Sequence, residues 1–173
     1  HRTLKEFILI PNVYAAGRLD RDSEGLLLLT DDGDLIHRLT HPRHDFPKTY
    51  LVQVEGVVTR EAVGQLRRGV VVKGERTKRA EAEIIDAPNL PPRLKPVRAY
   101  HPTTWLKVVL REGRKRQIRH MTAAVGYPTL RLVRVAIGPL TLGDLKPGEW
   151  RALTAQEVRL LKQPIANSVR GVT

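Results

Sequence analysis

Apolar and polar residues alternate with period two over Lys48–Glu55 and again over 105–111, which predicts two β-strands. Shorter β-rich runs at 70–73, 80–85 and 130–137 predict three more. Apolar residues at helical spacing predict helices over 34–40, stopped by Pro42, over Arg60–Arg68, ended by Gly69, and over 114–125, closed by Gly126 and Pro128. Residues 4–8 also read as helical. Thr154-Ala-Gln-Glu157 has the form of a capping box and opens a last helix running to about Lys162. Residues 86–102 hold five prolines with Arg93, Lys95 and Arg98. Such a segment cannot be regular structure and reads as a long, basic, semi-extended loop. Strands with interspersed helices, several at hairpin spacing, predict a mixed α+β fold with a largely antiparallel sheet.

The densest chemistry lies in Gly17-Arg-Leu-Asp-Arg-Asp-Ser-Glu-Gly25, followed by four leucines and Thr30. Two glycines enclose three carboxylates and two arginines, and apolar flanks read as strands. The charged residues therefore belong on a tight loop held by two buried strands. A carboxylate fixed among guanidinium groups stays ionised, which suits a nucleophilic or basic aspartate. The plainer reading is an Asp-rich turn whose ion pairs only tie down a loop.

Charge changes the picture next. The 173 residues carry 30 Lys and Arg against 18 Asp and Glu, a formal net charge of +12. A basic surface of that size calls for a polyanionic partner, most often nucleic acid. No basic amphipathic helix with bulky aromatics argues for a membrane surface instead. The chain has no cysteine, which excludes disulfides, thiol catalysis and Cys-ligated zinc, and fits a cytosolic protein. No apolar run is long enough to span a bilayer. Length allows one domain or two small lobes, with residues 164–173 read as a tail. The chain opens at His1 inside an expected helix, so an upstream segment is expected to be missing.

A second constellation, Arg111-Glu-Gly-Arg-Lys-Arg-Gln-Ile-Arg119, holds five basic residues in nine. Arg114, Lys115 and Arg116 fall in the expected first turn of a helix, where the macrodipole disfavours cations unless an anion compensates. A helix start rimmed by cations suits phosphate. The alternative is a solvated basic turn. Arg119, beside the core-facing Ile118, needs a carboxylate partner, and Asp20 is the obvious candidate. Tyr50 sits mid-strand after Lys48. By position it is a core aromatic, and functionally it could stack on a base or move a proton. His37, His41 and His44 with Asp45 only weakly suggest a metal site, because Pro42 interrupts the helix and no cysteine or Glu motif supports them. Trp105 and Trp150 read as core.

Together these pieces resemble the pseudouridine synthases. Residues 17–30 are similar to that superfamily's catalytic-aspartate motif, in the Ser-Glu-Gly-Leu form of a bacterial ribosomal RNA branch. Lys48-Thr-Tyr50 resembles the motif carrying the active-site tyrosine, and Glu112–Arg119, with its Gln-Ile-Arg core, resembles the third motif. The resemblance covers residues 1–153. The Pro-rich insert and Gly148-Glu149-Trp150 are most similar to the E-type members of the branch, which act on large-subunit ribosomal RNA. The family's opening strand, with its Lys-Pro pair, would precede His1.

The resemblance implies the family's catalytic fold, a mixed, largely antiparallel sheet flanked by helices around a central RNA-binding cleft, over residues 1–163. It implies isomerisation of a specific uridine to pseudouridine in RNA, most simply large-subunit ribosomal RNA in a bacterial cytoplasm, with no metal or organic cofactor. The catalytic residues it implies are Asp20 as the essential carboxylate, Arg119 as its ion-pair partner and Tyr50 against the uracil. Arg18, Arg21, Lys48, Arg114, Lys115 and Arg116 would bind RNA. A monomer is the default. Two rival classes stand beside this reading. A non-catalytic, ribosome-associated RNA-binding module explains the charge but not the Asp20 loop. A metal-dependent phosphodiesterase would be inhibited by chelators.

Overall fold

The structure, a computed structural model, describes residues 3–93, 95–97 and 100–164. Arg98 and nearly all of the expected tail lie outside the described residues. In chain order the elements are β1 (Tyr14–Ala15), β2 (Glu24–Gly25), β3 (Leu29–Thr30), α1 (Gly33–Thr40), β4 (Lys48–Glu55), α2 (Arg60–Arg68), β5 (Val71–Val72), β6 (Glu75–Arg76), β7 (Glu81–Ile85), β8 (Thr103–Leu110), α3 (Gln117–Ala124), β9 (Thr129–Ile137), β10 (Leu140–Thr141) and α4 (Ala155–Lys162).

The main sheet has the order β10-β9-β4-β8-β7, all antiparallel, and β2 adds to β9 as a parallel strand. The sheet is therefore mixed but largely antiparallel, as the sequence pattern predicts. β4 lies at its centre because both its edges are paired along their length. Its period-two pattern puts Val52 and Val54, both 0% exposed, on one face, in line with Tyr50 and Lys48. Leu106, Val108 and Leu110 of β8 bury the same face. Ala62, Val63 and Leu66 of α2 and Ile118 and Met121 of α3 complete that core. Thr59 caps α2 by accepting the Ala62 amide at 3.2 Å. A second core joins Leu35 and Leu39 of α1 to Phe46, Ile137, Leu140 and Leu161. The Arg38 guanidinium ties α1 to the end of α4 by donating to the carbonyls of Leu161 and Gln163. The capping box at Thr154 forms, and Arg151 grips its Glu157 with two 2.7 Å bonds.

Several local expectations change. Residues 4–8 form only a 3-10 turn, Leu4–Glu6, with Leu4 and Phe7 exposed. A short helix without a buried face does not hold. The leucine run is not one strand. Leu26 donates to Arg134 of β9, whereas Leu28 accepts from Ala16 beside β1, so the chain changes partners within three residues. Trp150 is 50% exposed and Trp105 half-buried, so neither is fully core. Helix α3 starts at Gln117, because Arg116 adopts a left-handed conformation (φ 55°). Arg114, Lys115 and Arg116 thus precede the helix instead of forming its first turn.

Candidate active site

β4 and β9 build the floor of a cleft of about 200 Å³. Tyr50 and Arg134 are direct register partners across these strands, and an irregularity between Thr49 and Tyr50 lets β9 carry one extra residue there. Such a bulge re-aims side chains, and bulges concentrate beside active sites. Residues 16–20 with Ser23 form one wall, and residues 112–118 form the other. The structure therefore brings Arg18, Asp20, Lys48, Tyr50, Arg114, Lys115 and Arg116 to one cleft. Arg21 is exposed on the same loop, and Arg119 stands behind the wall.

The loop is fixed to the sheet through β2. Gly25 has φ 112°, and a Cβ there would come within 2.2 Å of the Arg134 carbonyl oxygen, so only glycine permits this approach. Two of the loop's three carboxylates are tied by arginines. Glu24 receives two 2.9 Å bonds from Arg131, whose guanidinium also reaches the Pro91 carbonyl. Asp22 receives two from Arg116, at 2.9 and 2.8 Å. Arg119 joins Asp22 as well, donating to its carbonyl at 3.0 Å with Nε 3.6 Å from the carboxylate. The expected Asp20–Arg119 pair is thus corrected: Arg119 reaches Asp22, because the turn closed by Ser23 N–H on the Asp20 carbonyl carries Asp22 toward α3. Asp20 faces the cleft and has no ion-pair partner among the described residues, with Arg116 and Arg119 near enough to be felt electrostatically.

The bonds from Arg116 hold the Asp22 carboxyl down to about 2, despite burial, which raises it, and with help from the charge of Arg119. Its ordinary value is 3.8, so the pairing contributes fully above that pH and is lost as pH falls toward about 2. Asp22→Asn should therefore lower the melting temperature at neutral pH. The difference from the parent should vanish as acid approaches about pH 2, as a thermal-melt pH series would read.

The third basic cluster is largely engaged by the protein itself. Arg114 donates to the carbonyls of Val72 and Glu75 at 2.6 and 3.2 Å, fastening the β5–β6 hairpin to the cleft lip. Arg116 is committed to Asp22, and of the three only Lys115 is exposed. Gln117, 4% exposed, clasps the turn. Its carbonyl accepts the Arg114 amide at 3.1 Å, and its NH2 donates to Glu112 at 2.7 Å. The sequence reading missed Gln117 and the 4%-exposed Arg134. An arginine inside an otherwise apolar strand run was the available signal for the latter. Among the described residues, the buried side-chain polar atoms without a hydrogen bond are Ser23 Oγ, Arg119 Nε and Arg134 Nη2. All three lie at or beside this cleft. The rings of His37, His41 and His44 do approach one another, with centroids 4.7, 5.3 and 6.0 Å apart. Among the described residues, no three such groups are arranged to hold a metal.

The family described as RNA pseudouridylate synthase matches residues 8–124. The chain belongs to that family. It is 57% identical over 161 residues to ribosomal large subunit pseudouridine synthase E of Xanthomonas campestris pv. campestris, covering 91% of this chain and 86% of the relative. The protein of the same description from Vibrio parahaemolyticus is 53% identical over 154 residues, covering 88% of this chain and 65% of the relative's length. A crystal structure described as a pseudouridylate synthase superposes with a TM-score of 0.79 at 35% identity, covering 92% of this chain and 65% of that one. The pseudouridine synthase family and fold expected from the three motifs are the ones found. The motifs meet in space as well as in order: the Asp20 loop, the Tyr50 strand and the 112–119 turn line or back a single cleft.

Proposed function

We propose that the chain isomerises a uridine of large-subunit ribosomal RNA to pseudouridine, with Asp20 as the essential carboxylate. One observation carries the assignment of Asp20. Of the three loop carboxylates, Asp22 and Glu24 are tied by arginines, and Asp20 is left facing the cleft. The N-glycosidic bond must break and the base must rejoin through C5, and an anionic carboxylate beside the ribose serves either attack or removal of a 2′ proton. Tyr50, half-buried on the floor, offers a ring to pack on uracil and a hydroxyl that can relay the C5 proton, accepting it as its own proton passes to solvent. Arg119 acts through Asp22, whose carbonyl it bonds, and sets its positive charge near Asp20. The base reaches this depth only when flipped from its stack. Exposed Arg18, Arg21 and Lys115 are placed to hold flanking phosphates, with Lys48 deeper in the cleft. Arg114 and Arg116 shape the lip they line.

The names of the relatives support ribosomal RNA from the large subunit as substrate. Tritium release from large-subunit RNA labelled at uridine C5 is the direct test. Time-dependent release is expected. Intact RNA binding without release would favour the binding-module alternative.

A further inference from the structure

Two cations, Lys48 and Arg134, line the cleft floor, and neither has an ion pair among the described residues. Arg134 is 4% exposed. Its Nε donates to the Leu26 carbonyl at 2.8 Å and its Nη1 to the Arg18 carbonyl at 3.4 Å, which leaves Nη2 buried without a partner. The two carbonyls bracket the Asp20 loop, so one guanidinium holds both of its ends. Lys48 lies two positions from Tyr50 on the same face of β4, and Tyr50 faces Arg134 across the ladder. Among the described residues, Lys48 has no ion pair. Burial first, and then the charge of Arg134, push its ammonium below the usual lysine range.

The carboxylates that share this cleft do not neutralise the pair. Glu112 is taken up by the Lys78 amide and Gln117. Asp20 is not within ion-pair distance of either cation. Burying one unpaired charge is costly, and two adjacent like charges cost more. The arrangement becomes favourable when an anion joins it. A phosphate oxygen accepts strong charge-assisted bonds from an ammonium, and a guanidinium behind it adds attraction in a partly desolvated place.

We propose that Lys48 and Arg134 form a seat for one RNA backbone phosphate on the floor of the cleft, with Lys48 as the contacting donor and Arg134 as the positioning residue that fixes the Asp20 loop over it. This rests on the reading of the cleft as an RNA-uridine site. It adds a phosphate held beneath the reacting nucleotide, distinct from those gripped by the exposed rim. Seating that phosphate would draw the flipped nucleotide down toward Asp20.

The test compares the full chain with Lys48→Met, Lys48→Arg and Arg134→Lys. The affinity of each for an in vitro transcript of large-subunit ribosomal RNA is measured across a salt series, with turnover alongside. Lys48→Met should weaken binding about tenfold at low salt. It should also make the log Kd against log salt slope shallower by about 0.7–0.9, the share of one phosphate contact. Lys48→Arg should restore the slope. Arg134→Lys keeps the charge but loses the paired carbonyl bonds, so it should keep the slope and lower kcat. An unchanged slope in Lys48→Met overturns the seat, and an unchanged kcat in Arg134→Lys overturns the positioning role. If Arg134→Lys fails to fold by thermal melting, the two Lys48 variants decide alone. A parent that binds but releases no tritium would overturn the isomerase reading while leaving the slope measurement valid. A parent that does not bind the transcript overturns both.

Discussion

Asp20→Asn is expected to reduce tritium release by roughly 10⁴-fold or more, the scale on which loss of an essential catalytic carboxylate is felt. RNA affinity should stay within about threefold or improve slightly, because a negative charge facing phosphates is removed. The substitution is nearly isosteric, and the Asp20 side chain makes no hydrogen bond or ion pair among the described residues, so the fold has little to lose. The Ser23 amide that closes the loop bonds the Asp20 backbone carbonyl at 2.9 Å and is untouched. Single-turnover kinetics beside filter binding separate the two effects. Equal loss of binding and turnover would place Asp20 in recognition and not in the reaction.

Arg119→Met is expected to lower kcat by about 10²–10³, in the range found when a preorganised charge-stabilising donor is removed from a site. Its side chain is only 15% exposed and is directed at Asp22. The bond to the Asp22 carbonyl fixes the loop between the two ends that Arg134 holds. Asp22 keeps its two bonds to Arg116 in the variant, so the loop should remain attached and the melting temperature should fall only modestly. Arg119→Lys retains the charge without the directed bond and should recover part of the rate. A kcat unchanged by Arg119→Met would mean that Arg116 alone supplies the field at Asp20.

The parts of the fold that were legible are those written locally. β4 begins and ends where alternation predicts, α2 spans the expected Arg60–Arg68 and stops at Gly69, and α4 opens where the Thr154 capping box predicts. The site was legible as a set of residues but not as a set of bonds. Asp20 lines the cleft and Arg119 was expected to pair with it, yet Asp22 takes the guanidinium, because a tight turn decides which of two aspartates faces the helix. The cations of 114–116 read as a helix start because nothing in their spacing reveals that Arg116 adopts a left-handed conformation. Arg134 was passed over for a related reason. A strand buried on both faces reads as apolar, and the arginine's partners are backbone carbonyls of a distant loop, which no side-chain pattern announces.

The parallel graft of β2 onto β9 also sets an order of events. Glu24 and Arg131, which clamp the Asp20 loop to the sheet, are 107 residues apart in the chain. Hairpins such as β5–β6 and the antiparallel β7–β8 pair can close as soon as their own residues exist, whereas this clamp must wait for nearly the whole domain. During synthesis the Asp20 loop precedes β9 and stays unanchored until that strand has been made. Closure of the long β4–β9 pairing and anchoring of the Asp20 loop therefore fall in one step, since both wait for β9.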